Sequence, residues 1–140
     1  MPEITLQQAI TIMLAALKKG REIDCLPLGI AVLDPGGHMK AFAREDGTSY
    51  LRPGIAEGKA WGALGMGMGS RKLAERPERF IATLNAMSGG RVVAAPGGVL
   101  IRDSQGEILG AVGVTGDVSD RDEECAVAGI EAADLVADTG

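Results

Sequence analysis

The sequence predicts an α+β fold, about five antiparallel strands in one sheet with helices flanking it. Three observations carry this. Two pairs of apolar strand-like segments are each joined by an Asp-x-x-Gly turn, Asp34-Pro35-Gly36-Gly37 and Asp103-Ser104-Gln105-Gly106. Amphipathic helical patterns occupy both ends of the chain and its middle. No strand alternates with helices in the order of a parallel βαβ sheet, which argues against a Rossmann arrangement. The 140 residues are expected to form one domain, residues 1–140.

Taken in order, Thr5-x-x-Gln8 is a capping box ahead of Leu6, Ile10, Met13, Leu14 and Leu17, an apolar stripe at helical spacing. Lys18, Lys19 and Gly20 suit the end of that helix. Leu28 to Leu33 is a continuous apolar run, as expected of a strand buried on both faces. After the first Asp-x-x-Gly turn, His38 to Arg44 returns as its partner, and Glu45 to Tyr50 is a loop. A helix follows over Pro53 to Met66, with Gly54, Gly58 and Gly62 spaced by four on one face. Such a face invites close packing by another backbone, either the sheet or the same helix of a second subunit. Gly65 to Lys72 resembles a phosphate loop only superficially, because it follows a helix and lacks the Walker spacing; a helix-ending loop is expected. Pro77 opens a short helix with Phe80, Ile81, Leu84 and Met87 on its apolar face, closed by Gly89-Gly90. Arg91 to Ala95 reads as a short edge strand. The second hairpin pairs Val99–Ile101 with Ile108–Val114 and delivers Thr115, Gly116 and Asp117 into a glycine-rich corner, one wall of an expected pocket. Ser119-x-x-Asp122 is expected to cap a last helix whose inward residues are Cys125, Ala126, Ile130, Ala133 and Val136.

Composition narrows the function classes. A net charge of −5 argues against a nucleic-acid partner, which selects a basic face. No apolar run reaches membrane-spanning length, and no signal-peptide pattern opens the chain, so a cytoplasmic protein is expected. Aromatic residues make up only 3%, so a flat ligand finds few stacking partners. Cys25 and Cys125 match no metal or redox spacing and read as small apolar core residues.

The chemistry-bearing residues are few. His38 is the only histidine and the best haem or transition-metal ligand the chain offers; a solvated turn residue is the bland alternative. Arg44 at a strand end and Lys59 on the glycine-bearing helix could together clamp a carboxylate, or each could form a structural salt bridge. Asp117 and Asp122 are acid–base candidates if buried and capping residues otherwise. Ser70, Ser88 and Thr115 have no histidine at triad spacing, which argues against nucleophilic hydrolysis.

Several segments in fixed order carry a family resemblance: Val32-x-Asp34-x-Gly36-Gly37-His38, Arg44-x-Asp46-Gly47, Ile55-Ala56-x-x-Lys59-Ala60, Gly97-Gly98-Val99-x-Ile101, Gly110 to Gly116, and Asp122-x-x-x-Ala126. Over nearly its whole length the chain resembles the GlcG/HbpS-like family, which includes the C-terminal domain of PduO-type proteins. The resemblance implies a profilin-like α+β fold, a homo-oligomer and a small-molecule ligand, which is haem in some members. It makes His38 the candidate haem-iron ligand, with Thr115 and Gly116 beside the cofactor. Gly98-Val99-Leu100, Thr115 and Tyr50-Leu51-Arg52-Pro53 depart from the family pattern and point toward a more polar ligand. Three functions follow as alternatives. The first is a haem-binding oligomer. The second is a cofactor-independent lyase, hydratase or isomerase, with Arg44 and Lys59 holding a carboxylated metabolite while Asp117 or Asp122 moves a proton. The third is a non-catalytic accessory subunit that binds a metabolite.

Overall fold

The computed structural model describes residues 2–140. Five antiparallel strands form one open sheet, β1 (Gly29–Leu33), β2 (Met39–Arg44), β3 (Gly98–Arg102), β4 (Ile108–Thr115) and β5 (Val136–Asp138), in the order β2-β1-β4-β3-β5. The helices are α1 (Leu6–Glu22), α2 (Arg52–Met66), α3 (Ser70–Leu73), α4 (Glu78–Ser88) and α5 (Ser119–Ala132). α1 and α5 pack together on one face of the sheet and α2 lies on the other.

Both hairpins form on the chemistry their turns announced. Asp34 accepts from the amides of Gly36 and His38 through Oδ1, and Gly37 takes the left-handed conformation, φ +85°. Asp103 accepts likewise from Gln105 and Glu107, with Gly106 at φ +84°. A side-chain acceptor at the first position and glycine where φ is positive are what such a turn requires. The capping box of α1 also forms, Thr5 and Gln8 each accepting from the other's amide.

Six expectations need correction. α1 does not stop at Gly20, which is buried within it, but runs on to Glu22. Ser70 to Lys72, expected in the loop after α2, belong to the short helix α3. Arg91 to Ala95 is not a strand; it runs as irregular chain over α2, where Val93 donates to the Gly58 carbonyl at 3.2 Å. A Cβ at Gly58 would come within 2.6 Å of Val93, and one at Gly62 within 3.0 Å of Val92. The backbone that the glycine face admits is therefore this segment of the same subunit. The last helix ends at Ala132, because Asp134 adopts a left-handed conformation, φ +59°, and Val136 belongs to the short edge strand β5. Finally, neither Ser119 nor Asp122 caps α5. The helix starts after Val118 without a side-chain cap, and Asp122 turns into the core.

Candidate functional site

Two polar constellations lie at opposite ends of β1. The first is assembled by the close approach of α2 to the sheet. Gly98 and Gly113 lie on the α2 side, where a Cβ would run into the carbonyl oxygens of Lys59 and Ala56 respectively. Gly97 clears the space for the Lys59 ammonium, since a Cβ there would stand 2.8 Å from Nζ. Lys59 is thereby only 2% exposed, and its Nζ donates to the Val114 carbonyl at 2.9 Å and to Asp122 Oδ2 at 3.1 Å. Asp122 is 1% exposed, and its Oδ1 accepts from the Asp117 amide at 2.9 Å.

Removal from water dominates both groups. It pushes the Lys59 ammonium down and the Asp122 carboxyl up, while their attraction for each other works against both shifts. Arg52, the first residue of α2, donates Nη1 to Thr115 Oγ1 at 2.8 Å and adds a second positive charge near the pair. Ionised, Lys59, Asp122 and Arg52 carry one net positive charge.

The structure brings Lys59 and Asp122 together as a closed ion pair. Thr115 is buried at the end of β4 with its hydroxyl accepting from Arg52, and Gly116 packs against the Pro27 carbonyl. Asp117 adjoins the pair only through its amide. Its carboxylate accepts from the amides of Leu26 and Val118, each at 2.8 Å, and pairs with Arg121. Those bonds, led by the Leu26 amide, hold the carboxyl below the usual carboxylate range. Arg44 stands apart from Lys59. It faces Gly29 across β2 and β1 and lines an open depression of about 460 Å³ with Arg21, Pro27, Glu45 and Asp46. The residue that shares the α2 corner with Lys59 is Arg52, whose role no local pattern in the sequence announces.

The second constellation is the β1–β2 turn. Asp34 Oδ1, already accepting two amides, lies 3.2 Å from His38 Nδ1. Burial opposes ionisation of Asp34, but the amides of His38 and Gly36, helped by the imidazole, hold its carboxyl below the usual range. The His38 side chain is 80% exposed. With Nδ1–H directed at the carboxylate, the neutral imidazole keeps its lone pair on Nε2, the tautomer that metal-ligating histidines use. Two depressions adjoin the turn, one of about 150 Å³ lined by Pro35, Gly36, Gly37, Trp61, Leu64 and Gly65, the other of about 280 Å³ reaching Pro2 and Glu3. Among the described residues, no three His, Cys, Asp or Glu side chains group as a metal site, and no helix is long and apolar enough to cross a membrane.

His38 and Thr115 are separated by the whole of β1, since Thr115 pairs with Gly29 while His38 follows the turn after Leu33. At about 3.3 Å per residue that is about 13 Å along the strand alone. Sequence spacing could not reveal this, because both residues border glycine-rich segments of similar composition.

Comparison with solved structures gives the fold independently. A crystal structure of a PduOC–haem complex superposes with TM-score 0.87 at 20% identity, covering 96% of this chain and 97% of that one. The OrfY protein of Klebsiella pneumoniae superposes with TM-score 0.86 at 24% identity, covering 96% and 92%. The crystal structure of HbpS gives TM-score 0.79 at 24% identity, covering 94% and 90%. A comparison with curated proteins finds no match. The family model described as haem-degrading protein HbpS-like matches residues 4–131, and on that match the chain belongs to the HbpS-like family.

Proposed function

We propose that this protein binds haem and that His38 Nε2 ligates the iron. The observation that carries this reading is the Asp34–His38 pair: a carboxylate fixes the ring and its tautomer, leaving the distal nitrogen turned to solvent. A carboxylate behind a ligating histidine raises its basicity and typically contributes 10–100-fold in metal affinity. Membership of a family described by haem degradation and the likeness to a fold crystallised with haem support the same ligand class. Haem, when bound, would supply iron-centred redox and ligand-exchange chemistry; His38 would hold the iron, with Pro35, Trp61 and Leu64 as an apolar ledge beside the turn.

Neither depression at the turn reaches the roughly 300–1,000 Å³ of a pocket that encloses a ligand of drug size. Haem on His38 therefore lies against an open face, and a second copy of the chain is the natural second wall. The adjoining strand β2 is an edge of the sheet with Met39 and Phe42 exposed, the kind of apolar edge that a partner subunit covers. Titration of the purified protein with hemin, followed in the Soret region and by sedimentation, tests this. A shifted band that His38→Ala abolishes, and that Asp34→Asn weakens about 10–100-fold, is expected. A shifted band that persists unchanged in His38→Ala overturns the assignment. His38 is exposed, so the variant retains the fold, which circular dichroism checks.

A further inference from the structure

The two cysteines stand 100 residues apart in the chain, yet their sulfurs lie 3.9 Å from each other in the core. Cys25 belongs to the loop between α1 and β1, and Cys125 to the buried face of α5. We propose that they form a peroxide-responsive dithiol that closes to an intramolecular disulfide, clamping the α1–β1 loop onto α5. The separation exceeds the disulfide bond length of about 2.05 Å by about 2 Å. Rotation about the Cys25 side chain and a small movement of its loop cover that gap.

The two sulfurs are not equivalent. Cys25 is 4% exposed and Cys125 fully buried, so an oxidant arriving from solvent meets Cys25 first. The Arg121 guanidinium, held by Asp117 and by the Ile23 carbonyl, lies beside the start of the Cys25 loop. Burial pushes the Cys125 thiol up to about 12, so it stays protonated until its partner is activated. These features fit Cys25 as the sulfur that attacks and Cys125 as the one that resolves. In the first step the Cys25 sulfur attacks hydrogen peroxide, breaking the O–O bond; sulfur is oxidised to sulfenic acid and the departing hydroxide takes the thiol proton to become water. In the second, Cys125 gives up its proton and its sulfur displaces the sulfenic hydroxyl as a second water. Two thiols and one peroxide yield one disulfide and two waters.

The test uses the full chain, reduced and then exposed to equimolar hydrogen peroxide under native conditions. Intact mass is expected to fall by two hydrogens, both thiols to disappear from a count made in denaturant, and a peptide joining Cys25 to Cys125 to be recovered; dithiothreitol reverses all three. Cys125→Ser is expected to stop at a Cys25 sulfenic acid that dimedone captures. Unreacted thiols in the native wild type, a disulfide between chains, or gain of oxygen without loss of both thiols overturns the proposal. The wild-type measurements decide it even where the variant folds poorly.

Discussion

The two faces of the sheet are filled by opposite means. Against α1 and α5 the strands present Ile30, Val32, Val99, Ile101, Val112 and Val114, meeting Ile12 and Ile130 from the helices, all fully buried. Against α2 they present Ala31, Gly98, Ala111 and Gly113, with Leu33 and Leu100 toward the β1–β2 turn, meeting Ala56, Ala60 and Ala63. The first face is held by side-chain volume throughout; the second combines Leu33 and Leu100 at one end with backbone lying on backbone at Gly98 and Gly113. The difference teaches where this fold can bury charge. Interlocked aliphatic side chains offer an ammonium no acceptor. A glycine-lined face exposes strand carbonyls, and the notch at Gly97 admits Lys59 to the Val114 carbonyl, provided that a counter-ion comes with it. Asp122, reaching in from α5, is that counter-ion.

The largest predicted effect breaks this arrangement from one side. Lys59→Met leaves Asp122 buried without its partner and is expected to lower stability by about 3–5 kcal/mol at neutral pH, as for other halved buried pairs. The double variant Lys59→Met/Asp122→Asn is expected to recover most of the loss, since asparagine still accepts from the Asp117 amide and carries no charge. The pH dependence has a definite sign. Burial already raises the Asp122 carboxyl, and removing Lys59 withdraws the attraction that opposed the rise. A carboxyl whose folded value is raised favours the folded state while protonated. The Lys59→Met deficit is therefore smallest below about pH 4, the ordinary carboxyl range, and grows as pH rises through the raised folded value. Urea denaturation of both variants between pH 4 and 8 checks this. A deficit independent of pH, or a double variant no better than the single one, would show that the pair is held by packing alone.

Next in size comes a single methyl group placed on each kind of glycine. Gly113→Ala drives a Cβ into the carbonyl oxygen of Ala56, which is helix backbone and cannot turn aside. A loss of about 1–3 kcal/mol is expected, the usual range for an overfilled core. Gly54→Ala meets nothing within 4 Å and sits in the same helix, so it is expected to be neutral or to stabilise by up to about 1 kcal/mol. Thermal melts of the two variants sharpen the comparison: opposite signs for one chemical change locate the close approach at the sheet side of α2. Equal effects would mean that α2 shifts to relieve the clash.

How much of this was legible in the sequence depended on whether the cause was local. The turns at Asp34 and Asp103 were readable, because a side-chain acceptor at the first position and a left-handed glycine at the fourth are sufficient causes of their own geometry. The end of α2 at Met66 was readable for the same reason, with Gly67 as the left-handed cap, but the short helix α3 was not, since Ser70 to Lys72 were expected in the loop. The partner of the Gly58–Gly62 face was not, since an irregular segment at residues 91–93 carries no periodic signature. The end of α5 was missed because its stop signal is Asp134 in a conformation where glycine or asparagine is the usual cue. In the site, Lys59 and Asp122 were each singled out, but their meeting depends on where α5 crosses the end of β4. Arg52 and the proximity of the two cysteines are likewise tertiary facts, outside the reach of spacing within one element.

The smallest loss belongs to the aliphatic face. Ile130, near the end of α5, is fully buried in the cluster that includes Ile12, Val99 and Val112. Ile130→Val removes one methyl group and keeps the β-branched shape suited to its surroundings. The loss combines the transfer free energy of that group with a small cavity, about 1 kcal/mol in total. For a chain of this length that lowers the melting temperature by about 3 °C. The neighbouring Gly129 prevents ready collapse into the gap, because α5 already rests against the Ile12 carbonyl there and has little room to move inward. Differential scanning calorimetry of Ile130→Val beside Gly113→Ala therefore measures the two faces in the same units. A methyl removed from the aliphatic face should be felt less than a methyl added to the glycine face. The reverse order would mean that α2 rests on the sheet more loosely than the packing of Ala56 on Gly113 requires.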